Sequence, residues 1–209
     1  MKTVIFDVEG TNLAADFGIL LDVGWTVFPG VNNGTIEVHQ ASINPEEVRA
    51  SKRIDLGDLE VCKAFSKAIE DTDILVGHYI KRHDVPFLNT RLMYHNLPTL
   101  KPQTKFIDTW AYLRKNLKLH NNRLDSATHF FQLSDKEFKV KVINEITKQS
   151  YKLSIKGEKT GYTADAWVNA AINEESLAKV DYHNIIDVVV TLLAYDRLRG
   201  FVKGITSSL

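Results

Sequence analysis

The sequence predicts an α/β fold in which one mixed sheet carries helices on both faces. Three observations lead there. Apolar, β-rich runs open the chain; strand and helix patterns alternate beyond residue 58; and a long helical pattern closes it.

Residues 2–9 form an apolar run expected as a central strand. Residues 17–28 continue as a long second strand, and Pro29-Gly30-Val31-Asn32-Asn33-Gly34 supplies turn chemistry. Thr35 to Ala41 completes a meander as the third strand. Leu59, Cys62, Phe65, Ala68 and Ile69 recur at helical spacing within 58–71. Asp73 to His78 reads as a buried strand, and Val85 to Asn96 as a helix closed by Leu97-Pro98. A short strand at 105–109, helices near 109–118 and 122–132, and a strong helix over 175–199 follow.

Residues 136–159 stand apart. Phe138, Val140 and Val142 alternate with Lys139 and Lys141, and Tyr151, Leu153 and Ile155 alternate with Lys152, Ser154 and Lys156. This is the pattern of an inserted β-hairpin with one cationic face. Seven lysines against three glutamates give the segment a surplus of four positive charges.

Bulk properties bound the function. With 209 residues the chain suits one domain, 1–209, with a sizeable core. The 26 Lys and Arg balance 26 Asp and Glu, which argues against binding long duplex DNA through a global positive field. A neutral nucleic-acid enzyme stays consistent, because metal-binding carboxylates offset a basic groove. Cys62 is the one cysteine, so no disulfide forms within the chain, and a reducing, cytoplasmic setting is expected. No stretch approaches 18 apolar residues, and Asp7 interrupts the N-terminal apolar run; neither a membrane span nor a signal peptide is expected.

Four acids carry the chemistry. Asp7 and Glu9 lie two apart on a strand, so both project from one face while Val4, Phe6 and Val8 project from the other. Two such anions repel each other and resist desolvation, and a divalent cation offsets both costs; a strand end running into solvent is the plainer alternative. Asp84 precedes Pro86 where a helix begins, a capping position that does not exclude metal binding. Asp187 sits inside an apolar helix, with His183 four residues earlier on the same face. Together they suit phosphodiester hydrolysis: two hard divalent ions stabilise attacking and leaving oxygens, carboxylates are their ligands, and a neutral histidine takes the proton of the attacking water.

Three separated motifs resemble those of the DEDD (DnaQ-like) 3′→5′ exonuclease superfamily: Phe6-Asp7-Val8-Glu9, the stretch from Gly77-His78 through Asp84-Val85-Pro86-Phe87-Leu88, and His183 through Asp187. Ala15-Asp16-Phe17-Gly18, Phe106-Ile107-Asp108-Thr109 and the stretch from Lys118 through Asp125 are similar to stand-alone exonucleases related to the proofreading domain of family B DNA polymerases. The resemblance covers most of the chain outside 136–159. It implies a ribonuclease-H-like mixed five-stranded sheet and two Mg²⁺ or Mn²⁺ ions. Asp7, Glu9 and Asp187 would hold the ion beside the attacking water, and Asp7 would bridge to the second, served by Asp84. His183 is the implied base; it stands at the spacing of the tyrosine branch, and Tyr182, at five residues, is the alternative. Gly10 stands where the family usually has Thr, with Thr11 next, and Tyr79 follows His78 where Asn is common. Thr11, His78, Tyr79, His120 and Arg123 are the implied substrate contacts, joined by Lys139 and Lys141 of the hairpin. Asp108 and Asp125 are read as structural. The implied substrate is the 3′ end of single-stranded nucleic acid, DNA slightly favoured over RNA, with a replication or repair partner. A ribonuclease-H-type endonuclease and an inactive nucleic-acid-binding module are the competing readings.

Overall fold

A computed structural model describes residues 1–157 and 162–201 of the protein. Strands β1 (Thr3–Gly10), β2 (Leu20–Val27), the short β3 (Val31–Asn32) and β4 (Thr35–Ser42) form the opening meander. Helices α1 (Pro45–Ser51) and α2 (Leu59–Ala68) precede β5 (Ile74–Gly77), α3 (Asp84–Tyr94) and β6 (Lys105–Asp108). Then come α4 (Thr109–Asn116), α5 (Leu124–Phe130), the pair β7 (Glu137–Asn144) and β8 (Ser150–Lys156), α6 (Ala164–Ala170) and α7 (Glu174–Phe201). No helix among the described residues is long and apolar enough to cross a membrane.

The eight strands among the described residues belong to one mixed sheet, in the order β6-β5-β1-β2-β4-β7-β8, with β3 beside β4. β5 and β6 run parallel to β1, β2 is antiparallel to it, and β7 lies parallel to β4. The hairpin expected at 136–159 forms, with residues 158 and 159 outside the described residues, but it does not stand apart. Val140 and Val142 pair with Ile36 and Val38, so the hairpin extends the five expected strands into a larger sheet. Burial drives this: Val140, Val142 and Ile155 join the core beneath α7.

Strand alternation sorts two apolar layers. Val4, Phe6 and Val8 pack with residues of α1, α2 and α3, whereas Ile5, Val76 and Val140 pack with α4, α5 and most of α7. Helices cover both faces, as expected. Two short helices escaped the sequence reading. α1 carries a legible start, since Asn44 caps Glu46 and Glu47 and Pro45 sits in the first turn; α6 has no side-chain cap. β2 begins at Leu20 rather than 17, because the Phe17 and Gly18 N–H groups turn back onto the Ala14 carbonyl.

A buried ion network fixes the chain entering β2. The Arg91 guanidinium grips both oxygens of Asp58, at 2.7 and 2.9 Å. His95 Nε2 lies 2.6 Å from the same carboxylate, and the Leu20 N–H donates to it at 2.8 Å. Charges buried this deeply persist because each is matched and hydrogen-bonded.

Candidate active site

The end of β1 presents Asp7 and Glu9 toward α7, opposite Val4, Phe6 and Val8. A register shift between Glu9 and Gly10 then offsets the pairing with β2, which resumes at Gly10 and Leu20. Gly10 leaves room for α3, since a Cβ there would lie 2.6 Å from the Phe87 ring. That clearance accounts for a glycine where threonine was usual. It lets the start of α3 approach β1, and buried Asp84 accepts the Val8 N–H at 3.2 Å. Asp84, the first residue of α3 rather than its cap, therefore joins the helix to the central strand.

α7 crosses the same face. Buried Asn184 donates from Nδ2 to the Asp7 carbonyl and to Asp7 Oδ2, both at 3.1 Å. Its close approach depends on Gly24 of β2, where a Cβ would sit 1.9 Å from Asn184 Oδ1. Asp187 follows one turn later. His183 Nε2 lies 3.5 Å from Asp187 Oδ2 and 3.8 Å from Glu9 Oε1. The Trp167 indole of α6 donates to Glu9 Oε2 at 2.6 Å and meets the His183 ring edge-on, at 5.2 Å between centroids.

The electrostatics follow from that crowding. Burial, then the nearby charges of Asp84, Asp187 and Glu9, push Asp7 well above the usual carboxylate range. Burial and Asp187 push Glu9 up to about 8, against the opposing hydrogen bond from Trp167. Burial pushes Asp84 up to about 7, with Asp108 and Asp187 adding and the Val8 N–H opposing. Buried Asp22, paired in register with Glu9, and half-buried Asp181 of α7 form a further acidic pair; burial pushes Asp181 up to about 7. Among the described residues no Lys or Arg forms a salt bridge with Asp7, Glu9 or Asp84. Oxygen donors held together against their own repulsion fit a hard divalent cation, which removes that repulsion and requires such ligands. Glu9, His183 and Asp187 alone offer three ligand atoms within 4.8 Å of one another.

The four expected carboxylates and His183 thus converge from β1, α3 and α7. Tyr182 points elsewhere and packs in the core layer of Ile185, Ile186 and Val189. Arg123 lines a cleft of about 230 Å³ together with His183, Asp187 and Asp125. His78 has both ring nitrogens engaged, by Thr109 Oγ1 at 2.9 Å and the Asn122 carbonyl at 2.8 Å, and burial lowers its pKa. It fastens loops rather than facing a substrate. The Thr11 hydroxyl accepts the Ile19 N–H at 3.1 Å and closes the β1–β2 connection. Tyr79 is 37% exposed at the mouth of β5, and His120 is exposed between α4 and α5.

Lys139 and Lys141 are not brought to this centre. They alternate with Val140 and Val142, which face α7, so both project from the opposite face of the sheet to Asp7. Lys141 also pairs with Glu37 at 2.9 Å. Asp108 is structural, as expected: it caps α4 through the Ala111 N–H and holds the Tyr79 N–H. Trp167 and Asn184 were assigned no role from sequence. Asn184 lies within the third motif, and Gly24, a glycine inside an apolar strand, is the signal that something approaches there. Nothing in the sequence around Trp167 points toward Glu9.

The family model described as RNase_H superfamily matches residues 4–199. No curated protein matches the sequence. Among solved structures the chain is similar to the family B DNA polymerase from the hyperthermophilic archaeon Pyrobaculum calidifontis, with a TM-score of 0.60 and 13% identity, over 95% of this chain and 24% of that one. The chain therefore spans about a quarter of that polymerase's length, and the likeness is one of fold.

Proposed function

We propose that this chain, which belongs to the RNase_H superfamily, is a metal-dependent 3′→5′ exonuclease acting on single-stranded nucleic acid, DNA slightly favoured over RNA. The observation that carries the reading is the convergence of the carboxylates of Asp7, Glu9, Asp84 and Asp187, with His183 Nε2 3.5 Å from Asp187 and 3.8 Å from Glu9. Asp7, Glu9 and Asp187 would hold one Mg²⁺ or Mn²⁺, and Asp7 with Asp84 a second. Bound there, the ions supply the positive charge that stabilises the attacking and leaving oxygens.

The chain's own groups do the rest. Asn184 clamps Asp7 by its backbone and its carboxylate, so that ligand cannot rotate away. Trp167 holds one oxygen of Glu9 and leaves Oε1 turned to His183. His183 Nε2 takes the proton of the attacking water. Arg123, at the mouth of the cleft, offers a fork of donors to a phosphate. A replication or repair assembly is the proposed setting, in keeping with the polymerase to which the fold is similar.

The test is degradation of end-labelled linear and circular single strands, as DNA and RNA, with Mg²⁺ or EDTA. The reading requires mononucleotides from linear strands only, dependent on metal and lost in Asp7→Ala. Cut circles would instead favour an endonuclease, and binding without cleavage an inactive module.

A further inference from the structure

Charge is spread unevenly along this neutral chain. Residues 79–124 contain nine Lys and Arg against two acids, Asp84 and Asp108, a surplus of seven, and both acids are buried. Lys81, Arg82, Arg114, Lys115, Lys118 and Arg123 are exposed. Some exposed cations elsewhere have acid partners, as in Arg49–Glu174, Arg53–Asp55, Lys63–Glu60 and Lys148–Glu145, and others, such as Lys67 and Lys156, have none among the described residues. Among the described residues none of these six lies within salt-bridge distance of a carboxylate. Unpaired like charges held close together, as Arg82 and Arg114 are about the Trp110 ring, are costly unless an anion meets them.

Aromatic rings lie among them. The Arg82 and Arg114 guanidinium carbons lie 5.8 and 5.1 Å from the Trp110 ring centre, and the Tyr79 ring meets Trp110 edge-on at 5.1 Å. Tyr79 is held at φ 71, a left-handed conformation that non-glycine residues rarely adopt. The Asp108 carboxylate fixes it by accepting the Tyr79 N–H at 3.0 Å and the Lys81 N–H at 3.3 Å. Strain of this kind persists where surrounding structure enforces it; here it points a half-exposed phenol at Trp110. The ledge is continuous with the cleft. His78, next to Tyr79, bonds the Asn122 carbonyl, and Arg123 beside it lines the cavity of His183 and Asp187.

We infer that Tyr79, Trp110, Arg82 and Arg114 form a contact site for single-stranded nucleic acid, receiving the stretch of strand that leads into the cleft. Bases stack on the aromatic rings and guanidinium planes, and phosphates meet the unpaired cations. Unstacked bases and a track of cations are what such a ledge recognises; a duplex keeps its bases covered. Because the cleft takes the 3′ end, the ledge holds the nucleotides 5′ to the cleaved bond, a polarity that rests on the proposed exonuclease reading.

The test separates the two. Binding of fluorescein-labelled oligo(dT) of 3 and 12 nucleotides is measured by anisotropy in EDTA, where no hydrolysis intervenes. Trp110→Ala weakens the 12-mer on the order of 10-fold, consistent with loss of one stacked base. It also narrows the affinity gap between 12-mer and 3-mer, and Trp110→Phe restores most of the gap. Arg82→Gln with Arg114→Gln, both exposed, lowers the slope of log Kd against log salt by about 1.4, roughly 0.7 per phosphate contact on a single strand. Unchanged 12-mer affinity and salt slope in the arginine pair would overturn the ledge, whatever Trp110→Ala does to the fold. If these losses appear but the wild type releases no mononucleotide with Mg²⁺, the ledge stands and the exonuclease reading falls. If the wild type cleaves and the variants bind as it does, the reverse holds.

Discussion

Replacing Asp84 by Asn removes one buried charge from the carboxylate cluster. The amide keeps the shape, and its oxygen can still accept the Val8 N–H that Asp84 accepts at 3.2 Å. What disappears is one buried negative charge. Asp84 titrates at about 7 in the fold, well above its ordinary value. Ionising it therefore costs nothing below about pH 4, and the cost is fully present once pH has risen past 7. A displacement of roughly three pH units corresponds to about 4 kcal/mol at 1.36 kcal/mol each. Burial is the largest part of that cost, with Asp108 and Asp187 adding to it; because neighbouring acids share the repulsive part, a single amide relieves about half or less, on the order of 1–2 kcal/mol. For a chain of this length that raises Tm by about 2–8 °C. Melting curves of wild type and Asp84→Asn in EDTA, from pH 5 to 8.5, measure it directly. Wild-type Tm should fall across that range, and Asp84→Asn should fall less, so the two curves diverge with pH. Saturating Mg²⁺ should raise the wild type most, because the cation offsets the same repulsion. A variant less stable than wild type at pH 8 in EDTA, or wild-type stability flat from pH 5 to 8.5, would refute the electrostatic account of the cluster.

The other expectations concern the groups around it. His183→Ala should lose on the order of 10²–10⁴-fold in kcat with Mg²⁺ affinity little changed, whereas Tyr182→Phe should be mild because Tyr182 packs in the core; single-turnover kinetics with a Mg²⁺ titration separate the two. Trp167→Phe removes the N–H that steadies ionised Glu9, so Glu9 should rise further above about 8. Half-saturating Mg²⁺ should then rise several-fold at pH 7, and the gap from wild type should close at higher pH, as read in activity across a metal and pH grid. Gly24→Ala places a Cβ 1.9 Å from Asn184 Oδ1; displacing α7 should cost about 1–3 kcal/mol in urea unfolding and reduce hydrolysis.

Period and chemistry made the centre legible where they were local. Asp7 and Glu9 alternate with Val4, Phe6 and Val8, so their shared face could be read directly, and Asp187 stood out as an acid inside an apolar helix. Lys139 and Lys141 alternate just as cleanly, yet alternation says only that they share a face, not which face of which sheet. That was decided by β7 pairing with β4, a partner about 100 residues earlier, and the pairing turned the lysines away from the carboxylates. His78 lies in a motif beside the site, but its two partners, Thr109 and Asn122, come from separate loops, and only they reveal that its ring is fully engaged. Trp167 reaches Glu9 across 158 positions of chain, from a seven-residue helix with no capping signal.

The hairpin lysines acquire a different meaning from their position. Among the described residues β8 pairs only with β7, so it forms the open margin of the sheet, with backbone donors and acceptors lacking a neighbour on one side. Such a margin invites another strand, most directly the same margin of a second copy. Lys152 and Lys156 stand on it, and two copies brought together there must press like charges against each other. The cationic alternation of this segment acts as a guard against self-association: it keeps an extensible sheet finite.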